Sequence, residues 1–88
     1  MTTVPKLNRG QVSLMRCDVN TGHVLKTNGE LYTQVGDIYQ TFDSMDMAET
    51  FISNHLQDNC DMEFVVYGHE GEPILIWSRF EKKRIGVM

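Results

Sequence analysis

The sequence predicts an α+β fold: a small antiparallel sheet of about five or six short strands with one amphipathic helix packed on one face. The expected order is β-β-β-β-α-β-β. Two observations carry this. Residues 45–58 alone repeat their apolar side chains at helical spacing. The remainder falls into short runs of strand-forming residues, punctuated by Gly, Asn and Asp. With 88 residues the chain is expected to form a single domain over 1–88, with free ends at 1–10 and 81–88.

Taken in order, residues 11–19 alternate loosely and read as the first strand, closed by a turn at Asn20, Thr21 and Gly22. Residues 23–26 form a short strand. Asn28-Gly29 follows, the strongest two-residue hairpin signal in the chain. Residues 30–35 continue it, Gly36 and Asp37 break it, and residues 38–42 lead into the helix.

Asp43 suits the N-cap, because its carboxylate can accept from the open amides of the first turn. Phe42 and Met47 would then form a hydrophobic staple. Asp46 and Glu49 lie near the positive end of the helix dipole. At 100° per residue, Met45, Ala48, Phe51, Ile52, His55 and Leu56 fall on one side, and Asp46, Glu49, Thr50, Ser53 and Gln57 on the other. Asn59 is the expected terminator. The helix has no Lys or Arg, so its stability must come from packing its apolar face. Residues 63–67 and 73–80 then form a hairpin across the loop 68–72.

In Phe64-Val65-Val66-Tyr67 and Ile74-Leu75-Ile76-Trp77 both faces of each strand are apolar. One helix covers one face of a small sheet, so the other needs a second cover. The N-terminal strands curling around are favoured over a second molecule. Tyr67, Leu75 and Trp77 mark the apolar contact face if a second molecule supplies that cover.

The formal charge of −4 hides a strong segregation. Residues 36–76 carry nine carboxylates and no Lys or Arg, between a mildly basic start and the basic end Arg79, Lys82, Lys83 and Arg84. Such asymmetry bears on partners rather than on fold. No apolar run approaches the roughly 18 residues of a membrane helix. The first ten residues lack the apolar core of an export signal, and two cysteines are too few for a disulfide scaffold. A cytoplasmic protein is expected.

Catalytic patterns are missing: no phosphate-binding glycine loop with its lysine, no HExxH pair, no Gly-x-Ser-x-Gly elbow and no Cys-x-x-Cys. Cys17 and His23 are six apart, and His55 and Cys60 five apart; neither is a zinc-chelating spacing. No metal, no cofactor and no catalytic residue is therefore expected. His55, in the last helical turn, reads as a dipole partner rather than a base. His69, Glu70 and Glu72 read as an exposed hairpin loop. An acidic chain is a poor nucleic-acid binder, and the basic end reads as a solvated terminus.

The expected function is a small acidic protein-interaction module, of the inhibitor, immunity or anti-defence type, that blocks a basic surface of a partner protein such as a nuclease. The contact face is Asp43, Asp46, Glu49, Ser53 and Gln57, flanked by Asp58 and Asp61. The alternative is a self-associating structural or regulatory module, a homodimer through the second sheet face, its basic ends meeting the acidic middle of a neighbour.

Overall fold

The computed structural model describes residues 6–27, 30–33, 37–57 and 61–85. The strands are β1 (Val12–Asp18), β2 (Val24–Leu25) and β3 (Tyr39–Phe42), followed by helix α1 (Met45–Gln57), then β4 (Met62–Tyr67), β5 (Pro73–Trp77) and β6 (Lys82–Arg84). All six strands join one antiparallel sheet, ordered β2-β1-β4-β5-β6, with β3 also on β1. The helix lies on one face. Four extended positions precede it, as expected: β1, β2, Leu31 in its bridge to Leu25, and β3. The Asn28-Gly29 turn and the expected terminator Asn59 lie outside the described residues.

β1 has three strand partners, more than any other strand. β4 pairs along one edge, while β2 and β3 share the other, β3 against residues 12–15 and β2 against residues 16–17. The β1–β2 turn is set locally. Asp18 Oδ1 accepts from Asn20 N–H at 2.8 Å, and Gly22, at φ 78°, supplies the left-handed step that lets its N–H reach Asp18 O at 2.7 Å.

Directly opposed residues share a face. Leu14, Val66 and Leu75 therefore line up beneath the helix, as do Arg16, Phe64 and Trp77. Val12, Leu14, Phe64, Val66 and Leu75 pack with Ala48 and Ile52 of α1 into a buried cluster. Phe42, Met45, Phe51 and Leu56 close its margin. A register shift at Val66–Tyr67 inserts Ile74 as an extra residue, and Ile74 packs on the same cluster.

Three expectations are corrected. Ser44, not Asp43, caps the helix: its Oγ accepts from Met47 N–H at 3.2 Å. A cap serves the amide three residues on, and the helix starts at Met45. The staple consequently fails, since Phe42 turns to Phe51 at 5.3 Å and Met47 is 53% exposed. Second, the strand expected over residues 73–80 stops at Trp77. Ser78 Oγ accepts from Phe80 N–H at 3.2 Å and Ser78 N–H donates to Glu81 O at 2.8 Å, a turn made without Gly, Pro or Asn. The basic segment after it, read as a solvated end, is strand β6. Third, among the described residues the N-terminal strands β2 and β3 do not fold over the second face; they pair edge to edge with β1.

Candidate functional site

The outward side of α1 carries the residues expected to meet a partner, and the structure divides them. Asp46 and Gln57 are exposed and Ser53 is half-buried. Glu49, half-buried, is engaged: its Oε1 accepts from Lys82 Nζ at 3.1 Å and from Arg84 Nη2 at 3.0 Å. Register explains this reach. Lys82 lies opposite Trp77 and Arg84 opposite Leu75, both on the helix side of the sheet. Burial acts to raise the Glu49 pKa, but the hydrogen bonds and charges of Lys82 and Arg84 outweigh it and hold the carboxyl below its ordinary value. The basic end thus meets the acidic middle of its own chain.

Asp43 accepts from Gln11 Nε2 at 3.1 Å, tying the helix start to the approach to β1. Asp61 pairs with Arg79 at 2.9 Å. Asp58 lies outside the described residues. What remains open on the helix centres on its first two turns. There Asp46, Met47 and Thr50 line a shallow recess of about 310 Å³ beside the exposed Met47 side chain. A second open cleft, of about 320 Å³, runs between the end of α1 and the β5–β6 turn, lined by Ser53, Leu56, Gln57, Trp77, Ser78 and Arg79. Beside it Lys82 Nζ sits 3.9 Å from the Trp77 ring centre, and Arg79 stacks on Phe80, which is 68% exposed.

The apolar trio expected on one surface is split between faces. Leu75 is fully buried under the helix, with Trp77 at the margin of the same cluster. Tyr67 is on the opposite face, edge-on to Tyr39 at 5.9 Å. That face carries the row Tyr39, Met15, Val65 and Ile76 across four strands. Among the described residues no helix or second sheet covers it. Ser13, fully buried there, has its Oγ without a hydrogen bond among the described residues. Burial raises the pKa of Tyr39, and of Tyr67 with smaller contributions from Tyr39 and Cys17. Burial also raises that of Cys17, helped by Glu63.

Arg16 is the residue whose role the sequence concealed. It counts as one of the N-terminal cations, yet it is 4% exposed. Its guanidinium lies 5.3 Å from the Phe51 ring and 5.9 Å from Phe64, with Nη2 donating to Gln40 Oε1 at 2.5 Å. The one available signal was its place in the alternation: an even-numbered position of β1, in line with Val12 and Leu14. His55 belongs to the same wall, its ring 4.1 Å from Phe51 and its Nδ1 3.0 Å from Phe51 O. His69 and Glu70 are exposed at the β4–β5 turn, 3.9 Å apart. Glu72 folds back so that Oε1 accepts from Glu70 N–H at 3.2 Å, passing where a side chain at Gly68 would stand.

Among the described residues no three His, Cys, Asp or Glu side chains converge as metal ligands, and no helix is long and apolar enough to cross a membrane. Comparison with known protein families, curated proteins and solved structures finds no match to this chain.

Proposed function

We propose that this protein is a small interaction module of the inhibitor or immunity type, acting in the cytoplasm by occupying a basic surface of a partner protein rather than by catalysis. The observation that carries the reading is Met47: a large apolar side chain, 53% exposed, between Asp46 and Thr50 on a helix without Lys or Arg. A flexible thioether adapts to the shape of a partner, and a carboxylate beside it favours a basic rim. The contact surface is therefore narrower than the full acidic face. Asp46, Met47 and Thr50 form its centre, Ser53 and Gln57 its continuation. Glu49 serves the fold through Lys82 and Arg84.

The test is affinity capture from the native host with the protein as bait, followed by a binding isotherm on the partner identified. Replacing Asp46→Lys together with Met47→Asp weakens that binding by about tenfold or more, as loss of a central contact does. The far-UV circular dichroism stays unchanged, because neither side chain is buried. An unaltered Kd for the double variant overturns the reading.

A second reading rests on a different observation, the half-buried row Tyr39, Met15 and Ile76 with Val65 on the face opposite α1. On that reading the chain is a structural or regulatory homodimer joined through this face.

A further inference from the structure

We propose that the outer edge of β6 is a docking strand for an acidic, extended segment of a partner protein, which adds to the sheet as a further antiparallel or parallel strand. β6 ends the strand order of the sheet. Ser78 N–H donates to Glu81 O at 2.8 Å, and Ile85 N–H donates to Ile74 O at 3.0 Å. Bonded and non-bonded pairs alternate in an antiparallel ladder, so Ile76 and Lys83 also form a bonded pair. Lys82 and Arg84 consequently turn their N–H and C=O groups away from β5, toward the open edge. Among the described residues no strand meets them.

The charge of the edge selects the occupant. Lys82, Lys83 and Arg84 follow one another, and the single oxygen Glu49 Oε1 serves two of them. Glu81 just precedes the strand, and the edge remains net positive. A second copy pairing through its own β6 would set cations against cations, which is unfavourable for directly opposed residues. Lysines on an edge strand are a device against that association. The same charges attract a strand bearing carboxylates on both faces: on the helix side beside Lys82 and Arg84, on the other beside Lys83. This surface is separate from the Asp46–Met47 recess, so either can fail without the other.

The probe is a short synthetic peptide repeating Glu-Glu-Val-Val, which sets carboxylates on both strand faces, with a Lys-Lys-Val-Val peptide as control, read by amide hydrogen exchange on the intact protein. The glutamate peptide slows exchange at the Lys82 and Arg84 amides and leaves the already bonded Lys83 amide unchanged. Arg84→Pro and Arg84→Ala remove the same side chain, but only proline also removes the outward N–H. The proline variant binds the peptide about tenfold more weakly than the alanine variant, roughly the worth of one main-chain hydrogen bond. Exchange on the unmodified chain stands independently if the proline variant fails to fold. No slowing at Lys82 and Arg84, or equal binding of the lysine peptide, overturns the proposal. Slowing of those two amides with protein concentration, without peptide, also overturns it by assigning the edge to a second copy.

Discussion

Glu49 sits where a helix residue meets a strand residue thirty-five positions later, and its charge is worth more to the fold than to a partner. Its carboxyl is held below the ordinary value of 4.5, so it contributes stability that is present above that pH. This contribution is lost as pH falls through the lower, folded-state pKa. Glu49→Gln removes it. The variant is expected to be about 1 kcal/mol less stable near neutrality, in line with partly exposed ion pairs, and to lose less than the parent on acidification. Melting curves from about pH 7 down to about pH 3 check this; parallel losses in both proteins would show that Glu49 is not the group responsible. Arg16 makes the complementary point. A cation that composition records only as charge lies between Phe51, Phe64 and Gln40.

At the scale of elements, α1 was legible because its inward positions repeat at 3.6 residues, and Ala48 and Ile52 are indeed fully buried. Its first residue was less so. Asp43 and Ser44 are both good caps, and only the path of the chain from β3 sets which one stands before Met45. Ser44→Ala is expected to cost about 1 kcal/mol, while Asp43→Ala costs less because it loses only an exposed bond to Gln11. Urea denaturation of the two variants distinguishes them, and the reverse order would restore Asp43 as the cap. β6 escaped sequence reading for a physical reason. An edge strand is polar by requirement, so its three cations look like a solvated end until its partner β5 is located.

For the whole molecule, both strand faces were read as apolar and in need of cover, and α1 supplies one cover only. The second face tests self-association. The basic end already meets Glu49 within its own chain, so a dimer formed there is held by apolar contact rather than by ion pairs. On the homodimer reading, light scattering over a salt series gives a dimer that added salt does not dissociate and that Ile76→Glu does. A monomer throughout sinks that reading and leaves the helix surface and the β6 edge as the contact sites.

The sequence by itself determined the class of fold, the helix with its buried face, and strands β1 to β5 in outline, because those follow from local periodicity and turn chemistry. It also located the excess of acid. Only the tertiary structure decided which acids remain available, since Glu49, Asp61 and Asp43 find their partners at Lys82, Arg84, Arg79 and Gln11 through strand register. Register is a long-range property: it places residues 49 and 84 together although nothing near either one in the chain records it. The candidate surface contracted from a whole acidic face to the turn around Met47 for that reason.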